Sequence, residues 1–180
     1  MKLIGITGLK GHGKDTAAAA LTGFRRVALA APLKGMLNTL LTAQGVPFER
    51  AWAHLYGDEK ETPMEELGGK SARYALQTLG TEWGRLLVAP ALWTDAFRRR
   101  AGAHERVVCT DVRFHSEATL IHDMGGVMVR INDPRKSQIP DEHASESMVP
   151  ELDVDHEISN AGTVAELHAK IRHTFREWLA

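Results

Sequence analysis

The chain has 180 residues, 43% of them hydrophobic and 25% charged, with a formal net charge of −1. This length suits one compact domain with a small subdomain, and the apolar share supplies a core without a stabilising metal or disulfide. The near-neutral balance excludes a global basic field for long nucleic acid, the single Cys109 excludes an internal disulfide, and no stretch approaches the roughly 18 apolar residues of a membrane span.

Residues 3–7 form a short apolar run ending at glycine, which predicts a buried parallel strand. Residues 14–24 carry four consecutive alanines and predict a helix that packs closely on a sheet. A second strand is expected at 26–30. Pro32 then opens a helix to about 44, with Leu33, Met36, Leu37, Leu40 and Leu41 on one face. Residues 45–69 are mixed and rich in Gly, Pro and Glu, with Trp52, Leu55 and Tyr56 as anchors. Helices are expected at 71–85 and 91–101, the latter ending in Arg98-Arg99-Arg100, where cations complement the helix dipole.

Residues 106–110 read as a strand, with Cys109 a buried strand thiol in a reducing cytoplasm. A helix at 115–124 stops at Gly125-Gly126, and the next strand covers 127–131. Residues 132–152 are polar with three prolines and read as a long loop or lid. A short strand at 156–159 precedes an amphipathic helix carrying Leu167, Ile171, Phe175 and Trp178. Strands alternating with helices imply an α/β fold with a parallel sheet, its site at the carboxyl ends of the strands. No export signal is visible, so a soluble protein is expected.

The run from Gly8 through Lys10, Gly11, His12, Gly13, Lys14 and Asp15 to Thr16 sits between a predicted strand and a predicted helix. Its glycines let backbone N–H groups turn toward phosphate oxygens, and the helix start adds partial positive charge. Lys14 would reach the β and γ phosphates of ATP. Asp15 stands where a hydroxyl usually ligates Mg²⁺; a carboxylate beside a triphosphate needs a cation between them, so Asp15 is expected to hold Mg²⁺, with the Thr16 hydroxyl on the α-phosphate. His12 reads as a solvent-facing loop residue.

Val107 to Asp111 is an apolar strand ending in a carboxylate, the form of a Walker B element. Asp111 would organise the Mg²⁺ shell or accept a proton, and Arg113 would neutralise charge on a moving phosphoryl group. Arg73 and Gln77 share a helix face, suited to a phosphate and a base edge. Lys34 is a candidate phosphate contact, while Trp83 could stack on a base but reads first as a core residue. Arg130, Arg135, Lys136, His143 and Glu146 fall in or beside the polar lid stretch. His143 has no partner at metal-ligand spacing, which rejects a zinc site. Asn160, Gly162 and Thr163 form a turn that either holds adenine or simply caps the last helix.

These pieces resemble the bacteriophage-type deoxynucleoside monophosphate kinases of the P-loop nucleoside monophosphate kinase group. The matching segments are Gly13-Lys14-Asp15-Thr16, Ala31-Pro32-Leu33-Lys34, Arg73 with residues 76–82, Asp111-Val112-Arg113-Phe114, His143-Ala144-Ser145-Glu146 and Asn160-Ala161-Gly162-Thr163. The resemblance implies phosphate transfer from ATP to a deoxynucleoside monophosphate (dNMP) with Mg²⁺, a five-stranded parallel sheet of order 2-3-1-4-5, a viral origin and a homodimer. It also implies one domain over 1–180, with an acceptor-binding region at about 45–100 and a lid at about 130–150. Lys34, Arg73, Gln77, Arg85, His143 and Glu146 would then serve the acceptor, and Arg130 the nucleotide. Two other readings stay open: another small-molecule kinase of this fold, of dephospho-coenzyme A or phosphomevalonate type, and a P-loop ATPase or nucleotide switch.

Overall fold

A computed structural model describes residues 1–138 and 147–179, so His143 and Glu146 lie outside the described residues. The chain divides into two compact units, one made of Met1–Leu29 with Phe97–Ala180 and the other of Ala30–Ala96.

The first unit is built on a five-stranded parallel sheet of β1 (Lys2–Thr7), β2 (Arg25–Arg26), β3 (Arg106–Cys109), β4 (Val127–Asn132) and β5 (His156–Ser159). Their spatial order is β2-β3-β1-β4-β5, the order expected for the fold. Residues 3–7 of β1 are buried without alternation, as a central strand covered on both faces must be. Leu3 packs on one face with Phe97, Val107 and Ile121. Ile4 and Ile6 pack on the other with Ala17, Val129 and Ile171. Helix α1 (Lys14–Ala19) approaches the sheet closely because only Ala17 and Ala18 lie between them. It stops five residues earlier than its composition suggests, and Gly23, at φ 79°, turns the chain into β2.

Strand β2 is also shorter than expected. Beyond Arg26 the ladder continues through Val27 N–H to Val108 O (3.0 Å), and then the Asp111 carboxylate accepts Leu29 N–H (2.9 Å) in place of a main-chain carbonyl. A side chain has taken over the strand's hydrogen bonding, which no local pattern announces. Cys109 is fully buried as expected, and burial pushes its thiol pKa well up.

The second unit contains α2 (Ala31–Ala43), α3 (Phe48–Leu55) and α4 (Ala72–Thr78) around Leu37, Leu41, Ala51, Leu55, Met64 and Ala72. A two-stranded antiparallel pairing of Pro63–Met64 with Lys70–Ser71 leads into α4, which Ser71 caps through Tyr74 N–H (3.2 Å). Helix α3 falls in the stretch that reads as mixed. Its buried stripe is only Ala51, His54 and Leu55, and its aromatic residues Phe48, Trp52 and Tyr56 stand exposed in a column, so the apolar period is masked.

Leu79–Val88 is a π-helix, followed by α5 (Leu92–Ala101), which passes from the second unit into the first. Here the expected core tryptophan is corrected. Trp83 is 40% exposed, and the buried ring is that of Trp93, at 5%. Trp93 Nε1–H donates to Gly80 O (2.8 Å), and a Cβ on Gly84 would collide with its ring. Gly84 therefore opens the slot that Trp93 fills, leaving Trp83 outside. The first unit also contains α6 (His115–Asp123), α7 (Val164–Thr174) and α8 (Arg176–Leu179). Among the described residues no helix is long and apolar enough to cross a membrane.

Candidate active site

The loop between β1 and α1 has the shape its glycines predict. Gly8, Gly11 and Gly13 all have positive φ. Two of them have no room for a side chain: a Cβ on Gly8 would collide with Ile131 O, and one on Gly13, at φ 95°, would stand 2.5 Å from Asn160 Nδ2. The loop wraps the Lys14 side chain, whose ammonium donates to Gly8 O (2.6 Å) and Leu9 O (2.9 Å). The exposed Lys10 and Gly11 stand on the loop's outer side. The loop thus brings positive-φ glycines and an ammonium together at the start of α1.

His12 overturns its expected placement. It is 2% exposed rather than solvent-facing. Its Nδ1 accepts Asp133 N–H (3.1 Å), which puts the ring proton on Nε2, and Nε2 donates to Ser137 O (3.0 Å). The loop folds back on the segment leaving β4, and the imidazole fills the space between them.

At the start of α1, the Asp15 carboxylate is 80% exposed and accepts the Thr110 hydroxyl (3.0 Å), with Arg26 Nη1 at 3.6 Å. Arg26 Nη2 also donates to Asp15 O (2.6 Å). Thr110 follows β3 and was not singled out by sequence; its only signal is its place beside Asp111. Asp111 Oδ1 accepts both Leu29 N–H and the Cys109 thiol (3.2 Å), which anchors the carboxylate at the carboxyl end of β3. The main chain of Arg113 is fixed by Arg113 N–H to Glu117 Oε2 (2.8 Å), a buried carboxylate that also accepts Phe114 N–H (3.2 Å). Thr16 is half-buried, and its carbonyl accepts His168 Nε2–H (2.9 Å).

The turn after β5 meets the phosphate loop directly. Asn160 Nδ2 donates to His12 O (3.1 Å), and Asn160 N–H to Asn132 O (2.7 Å). Arg135 grips Asp133 through Nε (2.8 Å) and Nη2 (2.9 Å), then reaches Asn160 O (2.8 Å) and Gly162 O (3.3 Å). These hydrogen bonds to Arg135 hold the Asp133 carboxyl at about 2, well below the usual range. Thr163 caps α7: its hydroxyl accepts Glu166 N–H (3.3 Å), and Glu166 returns to Thr163 N–H (2.7 Å). Arg130 turns toward protein groups, donating to Pro150 O (3.0 Å) and Leu152 O (2.5 Å) with Glu157 at 3.9 Å. It ties residues 150–152 to the sheet.

The other candidates belong to the second unit. The Lys34 ammonium lies 4.3 Å from the centroid of the Tyr56 ring, a cation–π contact. Arg73 pairs with Glu61 (3.2 Å) through Nε, and Gln77 is half-buried one turn along the same helix. Arg85, on the π-helix, donates to Gly80 O (3.1 Å).

A profile of the family described as deoxynucleotide monophosphate kinase matches residues 54–171. A putative deoxynucleotide monophosphate kinase of Acanthamoeba polyphaga mimivirus is 32% identical over 190 aligned residues, covering 95% of this chain and 94% of that one. The deoxynucleoside-5'-monophosphate kinase of Escherichia phage T5 is 34% identical over 98 residues, 50% of this chain and 39% of that one. Among solved structures, a dephospho-CoA kinase from Campylobacter jejuni is similar at a TM-score of 0.49 and 14% identity, covering 99% and 98% of the two chains.

Proposed function

The chain belongs to the deoxynucleotide monophosphate kinase family, and from that premise we propose how its residues carry phosphate from ATP to a dNMP. The observation that carries the proposal is the loop itself: positive-φ glycines at the start of α1 and the Lys14 ammonium held at the rim. Lys14 would leave the carbonyls of Gly8 and Leu9 for the β and γ phosphates, trading neutral acceptors for charged ones. It would then stabilise the charge that builds on the bridging oxygen as that bond to the γ phosphorus breaks. An oxygen of the acceptor's own phosphate forms the new bond, giving dNDP and ADP.

This acceptor chemistry bears on Asp111. A phosphate monoester loses its second proton near pH 6, so the attacking oxygen is already ionised at neutral pH. No general base is required, and Asp111 is assigned to the cation shell instead of to proton transfer. The donor set fits Mg²⁺: Asp15 and Asp111 offer hard carboxylate oxygens, and Thr110 places a hydroxyl beside Asp15. Among the described residues no group of three or more His, Cys, Asp or Glu can hold a metal, so phosphate and water oxygens would complete its coordination. When bound, Mg²⁺ neutralises phosphate charge and orients the oxygens. Arg113 would serve the transferring phosphoryl group, and residues 160–163 the adenine, through main-chain contacts.

In the second unit, Arg73 offers a planar fork for the acceptor's phosphate and Gln77 an amide for its base edge, with Lys34 and Arg85 as further cations. Leu86, Leu87 and Val88 are exposed beside a groove lined by Met36, Leu40 and Trp83, and support a homodimer built on this face. A cytoplasmic site of action, that of the host for a viral protein, fits the single buried thiol.

The activity is tested by coupled ADP release with ATP and each of dAMP, dGMP, dCMP, dTMP and the ribonucleotides. Strong stimulation by at least one dNMP is expected. Acceptor-independent ATP consumption would point instead to a nucleotide switch or ATPase.

A further inference from the structure

The imidazole of His12 sits where chemistry at the phosphates is impossible for it. Both ring nitrogens are committed to main-chain partners, Asp133 N–H and Ser137 O, and the side chain is buried. A buried polar ring with every nitrogen satisfied holds a shape. What it holds is a closed circuit of hydrogen bonds. His12 receives Asp133 N–H; the Asp133 carboxylate binds Arg135; Arg135 binds Asn160 O; and the Asn160 side chain returns to His12 O. Immediately after His12 comes Gly13, where a Cβ would stand 2.5 Å from the Asn160 side chain of the same circuit.

We propose that His12, as its neutral Nε2–H tautomer, is a positioning residue that joins the phosphate loop, the exit of β4 and the residue 160–162 turn into one hydrogen-bonded body. Through that body it fixes the loop amides that grip the polyphosphate of ATP. The inference rests on the reading that this loop binds ATP. It assigns His12 no contact with the nucleotide.

The test uses the full chain, Mg²⁺ and β,γ-imido ATP in titration calorimetry, with the dNMP KM and the melting temperature measured for each variant. His12→Ala leaves the Asp133 amide without its acceptor and frees the loop. It is expected to weaken nucleotide binding about tenfold or more, with the dNMP KM changed less than about twofold. His12→Asn places an amide oxygen near the position of Nδ1, where it can accept Asp133 N–H, and is expected to recover most of the affinity. Asn160→Ala should weaken binding too, and the double variant His12→Ala/Asn160→Ala should lose less than the product of the two single effects, because both break the same circuit.

Should His12→Ala not fold, His12→Gln takes its place: its amide N–H can still reach Ser137 O, while its oxygen lies one bond farther out than Nδ1 and is displaced from Asp133 N–H. Weaker binding than wild type supports the proposal, and wild-type affinity overturns it. A folded His12→Ala variant with wild-type affinity overturns it as well. So does a His12→Asn variant as impaired as His12→Ala, with dNMP KM rising in parallel. Failure of the wild-type chain to bind β,γ-imido ATP would instead remove the reading on which the inference rests.

Discussion

Replacing Gly13 by alanine probes the phosphate loop where it meets the turn after β5. Its φ of 95° lies in the left-handed region, where an L side chain costs about 1–3 kcal/mol. The new Cβ would stand 2.5 Å from Asn160 Nδ2, so the Asn160 side chain must retreat and give up its bond to His12 O. A typical buried hydrogen bond contributes a net of about 0.5–1.5 kcal/mol, and the two terms together come to about 1.5–4.5 kcal/mol. This free energy must appear in one of two measurements. If the loop keeps its shape, the free protein is destabilised; if the loop relaxes, stability recovers and the nucleotide must restore the strained form when it binds, weakening affinity by up to roughly 30-fold for 2 kcal/mol. Urea denaturation of the free protein and calorimetric titration with β,γ-imido ATP should therefore give losses that sum to at least about 1.5 kcal/mol. A sum below about 1 kcal/mol would refute the argument that this backbone and this contact constrain the loop.

Lys14→Ala should lower kcat by about 100-fold or more with the melting temperature within a few degrees of wild type, since its ammonium donates to two carbonyls at the loop rim. Asp15→Asn should shift the Mg²⁺ concentration for half-maximal rate upward; an unchanged Mg²⁺ dependence would remove Asp15 from the cation shell. Arg73→Ala should raise the dNMP KM with little change in ATP affinity, and an unchanged dNMP KM would make its pairing with Glu61 purely structural. The Asp133 carboxyl is depressed to about 2 by Arg135, so its contribution to stability is full above about pH 4 and fades as the pH falls toward 2. Thermal melts between pH 5 and 2 should accordingly fall less steeply for Asp133→Asn than for wild type.

The legible parts of this protein are those written in contiguous residues. The glycine loop with Lys14, the apolar strand ending at Asp111 and the alternation of strands and helices each follow from a local pattern, and the sheet order matched the family resemblance. What escaped was set by partners distant in sequence. His12 gives no sign of burial in its own neighbourhood, because the groups that bury it are about 120 residues away. Thr110 matters only because folding brings Asp15 to it across 95 positions. The exchange of roles between Trp83 and Trp93 hangs on Gly84, whose missing side chain makes the slot. Helix α3 hid behind exposed aromatics, because periodicity reports burial only when apolar residues face inward.

The most direct trial of the assignment follows the phosphorus itself. ATP labelled at the γ position is incubated with the protein, Mg²⁺ and the preferred dNMP, and the products are separated. The label should appear in the β position of the dNDP, at a rate that falls by about 100-fold or more in Lys14→Ala. Label released as inorganic phosphate at the same rate with or without acceptor would contradict phosphoryl transfer as the work of this loop.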